Sequence, residues 1–135
     1  MNKVYIKNEK EMINFGKIFA KNLKKNSLIF LEGELGTGKT TFVKGIGKGL
    51  GIKDIIKSPS FLIIHNYGKM VHIDLYRIQS STIEELEEMG IIEALNSKKI
   101  KVVEWPNNLV KKLYPEAKIL KFKFKGRGRY VSWKN

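Results

Sequence analysis

The stretch Ser27-Leu28-Ile29-Phe30-Leu31-Glu32-Gly33-Glu34-Leu35-Gly36-Thr37-Gly38-Lys39-Thr40-Thr41-Phe42 decides how this chain is read. Ser27 to Leu31 is almost wholly apolar, the pattern of a strand buried on both faces of a parallel sheet. It runs straight into Gly33-x4-Gly38-Lys39-Thr40, the phosphate-loop spacing G-x-x-x-x-G-K-[ST]. The glycines let successive amides point into one concavity, a nest for a phosphate chain. A helix starting near Lys39 adds the positive end of its dipole. Lys39 would reach the β- and γ-phosphates, and the Thr40 hydroxyl would ligate Mg²⁺.

Downstream, Phe42, Val43, Ile46 and Leu50 mark the inward face of that helix, and Gly51 closes it. Gly45, Gly47 and Gly49 weaken its intrinsic propensity, so close packing must support it. Upstream, residues 9–24 carry Met12, Phe15, Phe19 and Leu23 at helical spacing. Phe61 to Tyr67 and Met70 to Leu75 flank Gly68-Lys69 and read as a hairpin. Thr82 to Leu95 reads as one helix, with Ser81 and Glu84 placed for a capping box. Ile100 to Glu104 is a second buried strand, stopped by Trp105-Pro106. Ile119 to Lys125 alternates Leu120, Phe122 and Phe124 with Lys121, Lys123 and Lys125, the period of a half-exposed strand whose phenylalanines face the core.

A phosphate loop needs an acid to manage a metal or an attacking water. The two aspartates are Asp54 and Asp74. Asp74 closes the apolar run from Met70, and Glu104 ends the second buried strand in the same manner. Two strand ends each delivering a carboxylate make a plausible Mg²⁺ and water constellation. His72 shares a strand face with Asp74, where it orients that acid or is simply a buried structural histidine.

Composition bounds the rest. The 135 residues suit a single domain, residues 1–135, and 42% hydrophobic content excludes a disordered chain. No apolar run approaches a bilayer span and no signal-peptide pattern opens the chain, so a cytoplasmic protein with no membrane partner is expected. The absence of cysteine excludes disulfides and thiolate chemistry. Basic residues number 26 against 13 acidic, a net charge of +13. Only Arg77, Arg127 and Arg129 are arginines, which leaves 26 − 3 = 23 lysines. A surface made for base or phosphate recognition uses arginine freely, so the charge hints at anionic partners without specifying DNA, which is not expected as a partner.

Four motifs in order, the phosphate loop, Ser58-Pro59-Ser60-Phe61, His72-Ile73-Asp74-Leu75-Tyr76-Arg77 and Val103-Glu104-Trp105-Pro106, closely resemble the TsaE family over nearly the whole chain. That family comprises small bacterial ATPases required for threonylcarbamoyladenosine formation in tRNA. The resemblance implies an α/β fold of the P-loop NTPase type, with a mostly parallel central sheet, an antiparallel hairpin region and helices on both faces. It implies ATP and Mg²⁺ as cofactors, with Gly36, Thr37, Gly38, Lys39, Thr40 and Thr41 on the phosphates and Thr40 and Glu104 on the metal. By the same resemblance Lys39 and Asp74 are catalytic, Trp105 lies beside the site, Glu9 lies near the adenine, and Arg127 or Arg129 approaches the nucleotide unless this segment is a solvated basic tail. Ser58 to Phe61 looks like a switch near the γ-phosphate. The implied partners are TsaD, which carries the transferase site, and TsaB, with tRNA met indirectly or weakly, and hydrolysis resets that assembly.

Other readings share the loop. A small-molecule kinase needs a lid of arginines, and the chain has three arginines in all. A small GTPase needs Asn-Lys-x-Asp, which is absent. A tRNA-binding module with structural ATP would use the basic strand, yet its phenylalanines alternate away from its lysines. The acidic run Glu84 to Glu88 suits a docking patch or an ordinary solvated helix face.

Overall fold

A computed structural model describes residues 1–56 and 63–134. In chain order its elements are β1 (Asn2–Ile6), α1 (Glu9–Ala20), β2 (Leu28–Gly33), α2 (Lys39–Gly49), β3 (Ile64–Asn66) and β4 (Met70–Asp74). Then follow α3 (Ile83–Glu88), α4 (Ile91–Leu95), β5 (Ile100–Glu104), α5 (Asn108–Leu113), β6 (Lys118–Lys125) and β7 (Gly128–Trp133). The seven strands form one mixed sheet in the order β1-β7-β6-β2-β5-β4-β3. The central run β6-β2-β5-β4 is parallel throughout, whereas β3 and the β7-β1 pair add antiparallel edges.

Strand alternation sorts the core into two layers. Ile29, Leu31, Val102, Leu120 and Phe122 face α1 and α2, where they meet Met12, Phe42, Val43 and Ile46. Phe30, Val71, Ile73 and Val103 face the other way, against Leu86, Ile91, Leu95 and Val110 of α3, α4 and α5. β2 is therefore apolar at every buried position because helices cover it on both sides.

The glycines of α2 find the support they need. A Cβ on Gly45 would overlap the Ile13 carbonyl oxygen, one on Gly16 would overlap the Phe42 carbonyl, and one on Gly49 would lie 2.7 Å from the Ala20 methyl. The two helices thus cross backbone to backbone, and that contact offsets the propensity lost.

Several expectations need correction. The helix expected over residues 9–24 ends at Ala20. The helix expected over 82–95 is two, because Gly90 takes φ 79° and breaks it between α3 and α4. The capping box belongs one residue later: Glu85 N donates to Thr82 Oγ1 at 3.1 Å, and Thr82 N donates to Glu85 Oε1 at 3.2 Å. Phe124 is 47% exposed rather than core; its ring lies beside the loop at Gly36, with the Arg129 guanidinium 4.6 Å over it. The segment around Arg127 and Arg129 is no loose tail; it forms the β6-β7 turn and the start of β7. The hairpin is present as β3 and β4, with Asn66 paired to Val71. Part of its first arm, and Ser58 to Phe61, lie outside the described residues.

Candidate functional site

The end of β2 and the start of α2 build the site. Gly36 and Gly38 adopt φ 82° and 97°, the left-handed region that a Cβ disfavours. At Gly33 a Cβ would meet the Phe122 carbonyl oxygen at 2.5 Å and Thr37 Oγ1 at 2.9 Å, so only glycine lets the loop leave the sheet here. The Thr37 hydroxyl is turned inward and donates to Glu34 O at 2.7 Å, and its amide donates to the same oxygen at 3.3 Å. Thr37 accordingly shapes the loop with its side chain. Gly38 caps α2 without any side-chain hydrogen bond, so the first turn presents its amides uncovered.

Lys39 is only 5% exposed. Its ammonium donates to Gly33 O and, at 3.0 Å, to Glu34 O, and it lies 4.4 Å from the centroid of the Trp105 ring. Burial pushes its pKa below the ordinary lysine value, against the attraction of Glu104 and Asp74.

The two acids arrive together because β4 and β5 are parallel neighbours with Asp74 opposite Glu104. Glu104 is buried, and the Thr40 hydroxyl donates to its carboxylate, 3.1 Å from Oε2 and 3.3 Å from Oε1. His72 Nε2 stands 2.6 Å from the same Oε2 and donates to it, while His72 Nδ1 has no hydrogen-bond partner among the described residues. Of the two readings left open for His72, the buried one holds, and the acid it meets is Glu104 on the neighbouring strand rather than Asp74. Asp74 accepts from the Tyr76 amide at 2.8 Å. Burial raises its pKa above the usual carboxylate range, the Tyr76 amide opposes this, and repulsion from Glu104 adds to it.

Trp105 follows Glu104 with φ 56°, a strained conformation for a bulky residue. It is held there by Gln79, whose amide donates to Trp105 O at 2.8 Å, and by Tyr76 packed edge-on at 4.8 Å. Gln79 and Tyr76 escaped the sequence reading; Tyr76 lies inside a quoted motif, but nothing in the spacing links either residue to Trp105.

On the other side of the loop lies a cleft of about 280 Å³ lined by Glu9, Gly36, Gly38, Thr41 and Arg127 among others, which brings five expected nucleotide residues to one place. Arg129, the alternative to Arg127, does something more specific. Its Nη2 and Nε donate to Gly36 O at 3.0 and 3.3 Å, and its guanidinium lies 4.6 Å over the Phe124 ring. It fixes the loop from the last strand.

The donor set bears on a metal. A threonine hydroxyl and a buried carboxylate converging within hydrogen-bond distance are hard oxygen donors of the kind Mg²⁺ takes. Among the described residues no group of three or more His, Asp or Glu side chains is placed to hold a metal ion.

The sequence model described as "Threonylcarbamoyl adenosine biosynthesis protein TsaE" matches residues 6–131. A protein of Haemophilus influenzae named as the tRNA threonylcarbamoyladenosine biosynthesis protein TsaE is 40% identical over 125 residues, covering 86% of this chain and 77% of the relative. The Borreliella burgdorferi protein of the same name is 39% identical over 93% of both chains. The crystal structure of YdiB of Bacillus subtilis superposes with a TM-score of 0.75 at 28% identity, covering 98% of this chain and 83% of that one.

Proposed function

The chain belongs to the TsaE family of proteins of tRNA threonylcarbamoyladenosine biosynthesis, and on that premise we propose that it is a cytoplasmic Mg²⁺-dependent ATPase that resets the TsaB–TsaD transferase assembly. The observation that carries this reading is the convergence at the start of α2. A glycine-shaped loop, a buried lysine and two carboxylates from adjacent strand ends meet there.

Each residue then has a task. Amides from Gly36 to Thr41, with the dipole of α2, cradle the phosphate chain. Lys39 exchanges the carbonyls of Gly33 and Glu34 for the terminal phosphates. Thr40 and Glu104 would hold Mg²⁺, which would neutralise charge on the phosphate oxygens. His72 keeps the Glu104 carboxylate turned toward Thr40. Asp74, aimed by the Tyr76 amide, orients the attacking water, and its raised pKa suits brief acceptance of a proton. Trp105 and Tyr76 shelter the lysine from solvent. The cleft between Glu9 and Arg127 takes the adenine end. Ser58 to Phe61 would sense the γ-phosphate and release on its loss.

The test is reconstitution of the tRNA modification with this protein present, absent, or carrying Asp74→Ala. The wild type should sustain many turnovers and hydrolyse ATP faster when TsaB and TsaD are added. Asp74→Ala should bind ATP within a few-fold of wild type yet support only the first turnover. Hydrolysis seen only with a small hydroxylated acceptor would replace this reading with a kinase.

A further inference from the structure

Helices cover the sheet unevenly. On the face that carries α3, α4 and α5, the buried cluster draws on β4, β5, β2 and the beginning of β6. Beyond it, β6, β7 and β1 show that face to solvent. Register places Lys121 beside Ser132 and Lys3, and Lys123 beside Tyr130 and Tyr5, with Lys125 at the end of the row. The lysines at 3, 121, 123 and 125 are all exposed.

Charge is segregated here. None of the chain's 13 acids lies on these three strands. Glu32, the acid next in register on β2, is already paired with Lys111 at 2.6 Å. A lysine-rich composition alone does not sort acids away from one face.

Aromatic rings lie among these lysines. Tyr5 is 42% exposed, and it rests over Gly128, where a Cβ would come within 2.5 Å of its hydroxyl. It meets Tyr130 edge-on at 5.4 Å, and the Lys3 ammonium lies 4.1 Å over the Tyr130 ring. At the lower end of the face a cleft of about 420 Å³ opens between Pro115 and Lys134, lined by Glu116, Lys118, Lys121 and Trp133 among others. The phenylalanines of β6 point the other way, but tyrosines from β1 and β7 supply rings on the lysine face. The sequence reading lacked these two strands.

We propose that this helix-free face of β6, β7 and β1 binds single-stranded RNA, with Lys3, Lys121, Lys123 and Lys125 on the phosphates and Tyr5 stacking a base. Lysines in register with exposed rings on an open sheet supply both parts of such recognition, a cationic track and a π-surface. RNA is chosen over DNA because the family acts in a tRNA pathway. No residue of the phosphate loop belongs to the face, so its failure would leave the nucleotide reading untouched.

Fluorescence anisotropy of the full chain with a labelled RNA of about twelve nucleotides tests this. Wild type should bind at about 0.1 M salt, with log K falling against log salt. Lys121→Gln with Lys123→Gln should weaken binding about tenfold and reduce the magnitude of that slope by about 1.4, near 0.7 for each lysine. Tyr5→Leu should weaken RNA binding about tenfold while leaving heparin, which has no bases, bound as before. Lys17→Gln with Lys21→Gln, on the α1 side, should change affinity less than about twofold, and thermal melts check that each variant is folded. The proposal is overturned by no RNA binding, by substitutions on the face that leave it unchanged, or by equal loss of heparin in Tyr5→Leu. Preference for phosphatidylserine vesicles, or for DNA of the same sequence, over RNA would overturn it as well.

Discussion

Lys39 and Asp74 are both held where burial works against their charge. For Lys39 the compensation is two loop carbonyls and an aromatic face. Lys39→Ala should lower ATP turnover about 100-fold or more, measured as phosphate release, because it removes a charge facing the terminal phosphates. For Asp74 the consequence is a stability cost with a definite sign. Its folded pKa lies above the ordinary value of 3.8, so between those two values the folded chain binds more protons than the unfolded one. Stability therefore falls as pH rises through that window, and the cost is full above it. Asp74→Asn should melt higher than wild type at about pH 7.5, with the difference closing below about pH 3.8. The same substitution should abolish hydrolysis. Glu104→Gln should raise the Mg²⁺ concentration needed for half-maximal turnover by about tenfold, read from a metal titration. These residues were legible because a strand-end acid after an apolar run is a local pattern. The bond from His72 to Glu104 was not, since it depends on which strands are neighbours.

At the level of elements, the crossing of α1 and α2 is the most exacting contact. Gly45→Leu should destabilise the chain by about 1–3 kcal/mol in urea unfolding, since no rotamer removes its Cβ from the Ile13 carbonyl. Thr82→Ala should cost about 1 kcal/mol, whereas Glu84→Gln, at the acid of the box expected a residue earlier, should cost little, which separates the two. The glycines of α2 signalled close packing in advance because their propensity cost demands an explanation. β1, β7 and α5 gave no comparable signal. β1 and β7 are short and interleave polar residues with apolar ones, and β1 finds its strand partner in β7 while β7 leans on β6 as well. α5 has six residues, too few for a helical period to register.

The molecule as a whole is a mixed sheet with a charged division of labour: acids gather on α3 and at the loop, while lysines hold the open face. No described helix is long and apolar enough to cross a membrane. If ATP binds the folded chain alone, a hundredfold excess over Kd should add about 2.7 kcal/mol of stability. This appears as a rise of several degrees in Tm, absent in Lys39→Ala. Strand order was the part of the fold least legible beforehand, because parallel pairing is set by crossovers between distant segments rather than by any local pattern.

Residues 2–6 find their sheet partner only in residues 128–133, and Gly36 finds its guanidinium there too. During synthesis, then, β1 waits unpaired until β7 has been made. A nascent or prematurely stopped product lacks the tether on its phosphate-gripping turn. Competence for nucleotide thus waits on β7, and a chain lacking residues 128–133 keeps neither the pairing of β1 nor the Arg129 hold on Gly36.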